Sequence, residues 1–177
     1  LFGLLGVAHS AIGWTSTRAA RASRAGSVFA WPRGALFSVG ILAFCTSLGE
    51  GAIVDWSAVF LVEIQGVGDA EAALGYAAFS VAMVAMRLAG DRIILRLGAV
   101  RAARLSGVLA LGGVLMVIMA PGLVIALGGF AFMGFGYAMV MPLAFSRAAN
   151  DPTQSAGTAI AQVATLGYGG LLLGPPV

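Results

Sequence analysis

The 177-residue chain is 60% hydrophobic and 10% charged, whereas an ordinary soluble domain is roughly 45–50% apolar and about 25% charged; it lacks the polar surface a water-soluble fold needs. Its net charge of +3 rests on ten basic residues, all arginine and gathered in the connections between apolar runs, a pattern that does not signal nucleic-acid binding. A single cysteine, Cys45, excludes an internal disulfide, and a single histidine, His9, excludes a His-rich metal site.

Taken in order, the apolar runs predict an all-α, polytopic transmembrane bundle of five full spans and a partial one. The opening "LFGLLGV" is too short to cross a bilayer, which takes ~20 apolar residues. It has no basic stretch before it, so it reads as the end of a preceding helix rather than a signal peptide. Residues 1–12 are assigned to that helix end, 13–34 to a linker on the cytoplasmic side, and 35–177 to the transmembrane bundle. Within the bundle, spans are expected at about 35–62, 72–88, 102–120, 123–145 and 155–173. The closing "LLLGPPV" has no polar tail, and both ends read as cut, as if the chain were an internal piece.

The charges support this drawing. Arg18, Arg21, Arg24 and Arg33 precede the first full span. Arg87, Arg92, Arg96, Arg101 and Arg104 surround the junction of the second and third spans, and Arg147 follows the fourth. The connection between the first and second spans holds Glu63, Asp69 and Glu71 and no arginine. All arginines thus fall on one side of the membrane, which the positive-inside rule makes cytoplasmic.

Two acids interrupt the first full span, in "GEGAIVDWS". Counting from residue 35 at ~1.5 Å per residue, Glu50 lies roughly 22 Å along the helix and Asp55 roughly 30 Å. The hydrocarbon core is about 30 Å thick, so Glu50 is expected inside the membrane and Asp55 at its outer edge. An acid near the centre costs about 2.5–3.5 kcal/mol on insertion scales and needs a cavity or a partner. Asp55, beside Trp56, suits an interfacial anchor. The two are also about 140° apart around a straight helix. Gly49 and Gly51 flank Glu50 and allow a kink or break there. Thr46, Ser47, Glu50 and Ser57 share one face. Glu50 is therefore the leading candidate for binding substrate or a coupling proton; the competing reading pairs it with an arginine or hydroxyl absent from this chain.

Further along, Tyr76, Ser80, Met83 and Arg87 form one stripe, and Thr158, Gln162 and Thr165 another. Either could line a cavity or bridge neighbouring helices. Pro142 is expected to kink the fourth span. Gly134, Gly136, Gly167, Gly169 and Gly170 suit close helix contact or bending. Enzyme chemistry finds no residues: there is no triad and no metal cluster. "GFGYAM" and "GVGDAE" each lack the third glycine of a dinucleotide fingerprint.

The segment "RLAGDRIILRLGAVRAARLSG" carries Arg87, then Gly90, Asp91 and Arg92, then Gly98 and Arg101. It resembles the signature loop of the major facilitator superfamily, G-x-x-x-D-R-x-G-R-R, with altered glycine spacing. "GEGAIVDWSAVFL", "GFGYAMVMPLAFSRAA" and "ATLGYGGLLLGPPV" resemble the seventh, tenth and eleventh helices of a bacterial branch related to fucose-type sugar permeases. The resemblance implies the C-terminal half of such a protein. It would lie in a bacterial inner membrane, with the lipid bilayer and an N-terminal half of the same chain as partners. No cofactor or nucleic acid would be involved. It would move a small polar solute, a sugar or other metabolite, by alternating access with proton coupling; the alternative is a non-transporting membrane scaffold or subunit that keeps the fold. Arg87, Gly90, Asp91 and Arg92 would form a gating loop, the bland reading being a solvated turn. Glu50, Asp55 and Gln162 are the substrate or proton-coupling candidates.

Overall fold

The structure, a computed structural model, describes residues 34–174. The assignments of 1–12 to a helix end and of 13–34 to a linker lie outside the described residues, save for Gly34. Among the described residues there are six helices and no strand: α1 (Ala35–Glu63), α2 (Asp69–Leu97), α3 (Ala99–Ile118), α4 (Leu123–Ala138), α5 (Val140–Ala149) and α6 (Ala156–Leu173). In hydrocarbon every backbone N–H and C=O must be paired within its own segment, and a helix does this without neighbours. With α4 and α5 counted as one span over Leu123–Ala149, five helical segments are long and apolar enough to cross a membrane. The expected polytopic helical bundle is therefore present.

α1 packs chiefly against α6, while α4 packs against α3 and α2. α5 touches α6 and α1, and α1 also meets α2. One core joins Leu61 and Ile53 of α1, Phe79 and Met83 of α2, Val117 of α3, and Phe130 and Met133 of α4. A second joins Leu36 and Ala43 of α1 with Ala144 and Ala148 of α5 and Ala159 and Val163 of α6. The α4–α5 span is the central one: half of its most apolar stretch is buried, against 22–33% in the other four.

Lipid tails are as apolar as leucine, so contact between membrane helices depends on close packing, which small residues permit. α4 shows how. Its Gly134 lies against the Phe79 carbonyl of α2. A Cβ on Gly136 would stand 2.5 Å from Ala110 N of α3, and one on Gly129 would stand 2.8 Å from Gly113 O. On α6, Gly170 lies against the Phe44 carbonyl of α1, and Gly167 faces Met141 and Ser47. Gly169 differs from its neighbours: it faces open space.

Two boundaries follow from backbone chemistry. Pro142 has no N–H, and its ring collides with the carbonyl four residues earlier. The helix is interrupted at Met139, and α5 restarts at Val140. Between α2 and α3 stands one residue, Gly98, at φ 78° and ψ 157°. That φ is disfavoured for any residue with a Cβ.

The second junction corrects the expected boundaries. A loop was expected between about residues 88 and 102; instead α2 continues to Leu97 and α3 starts at Ala99. The fall in hydropathy marks where the chain leaves the membrane, not where the helix stops. Arg, Leu, Ile and Ala hold a helix well in water, so α2 projects beyond the bilayer. α1 and α2 have 29 residues each, about 43 Å at ~1.5 Å per residue, which exceeds the ~30 Å core.

Candidate functional site in the membrane interior

α1, α2, α5 and α6 enclose an open cavity of about 600 Å³. Its polar lining is Ser47 and Glu50 of α1, Arg87 of α2 and Tyr168 of α6. Its apolar lining is Met141, Pro142 and Phe145 of α5 and Leu171 of α6. The helix break explains why α5 contributes three of these: interruption at Met139 turns the following segment toward α1 and α6. Counted at ~1.5 Å per residue, Glu50 lies ~22 Å along α1 from Ala35 and Tyr168 ~18 Å along α6 from Ala156. Arg87 stands at the point where hydropathy falls along α2, nearer the arginine-rich boundary than Glu50.

Glu50 is half-buried. Ser47, one turn before it, is buried, and its hydroxyl donates to Met141 Sδ at 3.9 Å. The helix does not break around Glu50, although Gly49 and Gly51 would allow it: α1 runs as one helix from Ala35 to Glu63. The glycines serve packing instead. A Cβ on Gly49 would meet Tyr137 Oη at 2.5 Å. Gly51 is buried against Gly174, at the end of α6. Tyr137 in turn packs edge-on against Phe79, with ring centroids 6.0 Å apart.

Arg87 is exposed on the described bundle and faces the same cavity as Glu50. Among the described residues the one ion pair joins Arg147 to Asp151, so Glu50 and Arg87 share the cavity without bonding to each other. The other expected site residues lie elsewhere. Asp55 is exposed beside Trp56, itself 50% exposed, and does not line the cavity. Gln162 is buried, but its Oε1 accepts from Gln154 Nε2 at 2.9 Å, toward the α5–α6 connection. Gly90, Asp91 and Arg92 are helical, not a loop; they occupy α2 two turns before Gly98. Gly90 is buried against Met139 at the helix break, while Asp91 and Arg92 are exposed.

Three hydroxyls of the sequence stripes bond to their own helix. Thr46 donates to Leu42 O at 2.9 Å, Ser80 to Tyr76 O at 2.8 Å and Thr165 to Ala161 O at 2.8 Å. Ser155 caps α6, its hydroxyl accepting from Thr158 N at 3.3 Å. Tyr168 had not been singled out. The signal was available: tyrosine favours the membrane interfaces, and Tyr168 stands in mid-span between Gly167 and Gly169. Chemically, the cavity offers one carboxylate, one guanidinium fork and two hydroxyls against apolar walls.

The chain is 47% identical over 163 residues to an uncharacterized transporter, y4wD, of Sinorhizobium fredii, covering 92% of this chain and 43% of that protein. It is 38% identical over 150 residues to an uncharacterized MFS-type transporter of Yersinia pestis, covering 85% of this chain and 39% of that one. It is also 38% identical over 142 residues to the membrane protein MosC of Rhizobium meliloti, covering 80% of this chain and 35% of MosC. The chain thus spans less than half the length of each of these relatives. No solved structure matches it. The sequence profile of the Major Facilitator Superfamily matches residues 4–175, nearly the whole chain. With five apolar helices in the described residues and that match, the chain belongs to the major facilitator superfamily.

Proposed function

We propose that the chain is the C-terminal half of a secondary active transporter of a bacterial inner membrane. It would move a small polar solute, a sugar or other metabolite, by alternating access with proton coupling. α1 to α6 then correspond to spans seven to eleven, residues 1–12 close the sixth span, and 13–34 form the central linker to an N-terminal half. The sequence resemblance to fucose-type permeases and the bacterial relatives support this placement. The observation that carries the reading is the shared cavity: Glu50 and Arg87, from two different helices, line one space. An acid inside a span, as Glu50 is, is costly and marks a solute or proton path. Alternating access requires such a site between two halves that rock against each other.

Glu50 takes the proton or a polar group of the solute. Asp91 and Arg92, exposed near the arginine-rich end of α2, act as a latch toward the other half. Proteoliposomes containing the full-length protein test both roles. A panel of solutes is offered with and without an inward proton gradient. Glu50→Gln is expected to abolish stimulation by the gradient. Asp91→Asn is expected to slow turnover and leave solute affinity unchanged. Undiminished gradient-driven uptake by Glu50→Gln would remove Glu50 from coupling. A wild-type protein that moves nothing would favour a scaffold.

A further inference from the structure

The cavity holds a carboxyl group, that of Glu50, and a guanidinium, that of Arg87, which do not meet. Arg87 cannot shed its proton, so its guanidinium carries charge at every accessible pH. No carboxylate among the described residues lies within 4.0 Å of it: Asp91, one turn further along α2, and Glu50, across the cavity, both stay unbonded to it. The remaining polar groups that line the cavity, those of Ser47 and Tyr168, are hydroxyls. A cation that lines a largely apolar cavity is well matched by an anion, and no carboxylate of the described residues touches it.

Resting on the transport reading above, we propose that Arg87 is the anion-binding residue of the transport site. Its solute is a small molecule with a carboxylate at one end and a hydrogen-bond donor at the other, a hydroxy acid or an amino acid rather than a neutral sugar. Three features of the cavity carry this. The planar guanidinium of Arg87 matches a carboxylate with two parallel N–H···O bonds. Glu50, when ionised, only accepts. It repels a second carboxylate and receives a hydroxyl or ammonium, which fixes the solute head to tail between the two helices. The walls between the charges are apolar, formed by Phe145 and Leu171 among others. A sugar, with hydroxyls all around its ring, would leave several of them unpaired there, which is penalised. A solute that is polar at its ends and apolar between fits.

The test uses the full-length protein in proteoliposomes and radiolabelled L-lactate, L-alanine, D-xylose and glycerol. The expected result is uptake of lactate or alanine, competed by the free acid and not by its methyl ester. Arg87→Gln should reduce that uptake roughly ten- to hundred-fold, the usual effect of losing a charge-assisted hydrogen bond. Arg87→Lys keeps the charge and loses the fork, so it should lower uptake severalfold; it also serves if the glutamine variant does not fold. Uptake confined to xylose or glycerol and untouched by either variant would overturn the inference while leaving transport standing. Protein that moves none of the four while carrying another solute of the panel above would also overturn the inference, and protein that moves nothing from that panel would overturn the transport reading itself.

Discussion

Asp151 shows how a single residue can be separated from the site. It lies in the connection between α5 and α6, outside the spans. The Thr153 hydroxyl and backbone N–H both donate to its carboxylate, and Arg147 stands 3.6 Å away. These donors, the threonine hydroxyl first, hold its carboxyl below the usual carboxylate range. A carboxylate with a lowered folded value contributes fully above its unfolded value of about 3.9, and that contribution is lost only as pH falls through the folded value. Between about pH 5 and 8 Asp151 therefore stays ionised in both states and adds no pH dependence. Asp151→Asn should leave the shape of the uptake-versus-pH curve unchanged over that range, while Glu50→Gln should flatten the response to a gradient. A shifted curve in the asparagine variant would show that Asp151 takes part in coupling.

At the scale of one helix against another, the glycines separate into those that neighbours need and those they do not. Gly134 and Gly170 meet backbone carbonyls, of Phe79 and Phe44. Backbone cannot swing aside as a side-chain tip can, so even a methyl group forces the helices apart. Gly112, in α3, meets nothing within 4 Å. Gly134→Ala and Gly170→Ala should each destabilise the full-length protein by about 1–3 kcal/mol, the usual cost of overpacking. Gly112→Ala should be neutral or slightly stabilising, since alanine is the better helix former. Thermal unfolding in detergent reads the difference, and equal effects at all three positions would contradict the packing described. The sequence made much of this level legible. The spans, the interruption before Pro142 and the packing role of Gly134 and Gly170 follow from apolar length and small-residue spacing. The extension of α2 to Leu97 was hidden, because hydropathy reports the solvent around a helix and not its end. The packing role of Gly49 was hidden because Tyr137, which fills the space beside it, lies 88 positions further along the chain, and local pattern carries no such long-range contact. The same limit applied to the site: Glu50 stood out by its cost in lipid, but only the packing of α1 on α2 brings Arg87 into its cavity.

For the molecule as a whole, charge distribution and helix count make one joint statement. The described bundle connects its spans at alternate ends, with acids Glu63, Asp69 and Glu71 around the α1–α2 connection and four arginines within two turns of Gly98. If the positive-inside rule governs insertion, the Gly98 end is cytoplasmic and the α1–α2 connection faces outward. Both points can be probed with single cysteines once Cys45, the chain's one native cysteine, is replaced by serine. Ala70, at the start of α2, and Val100, at the start of α3, are exposed positions, so Ala70→Cys and Val100→Cys should disturb little. In intact cells expressing the full-length protein, a membrane-impermeant maleimide should label Ala70→Cys and spare Val100→Cys until the membrane is permeabilised. The opposite pattern would invert the topology. The depths along each helix would remain, but the Asp91–Arg92 latch would then stand on the outer face, where it could not close a cytoplasmic gate. Labelling of both positions in intact cells would break α2 as a single span, and with it the cavity that Glu50 and Arg87 share.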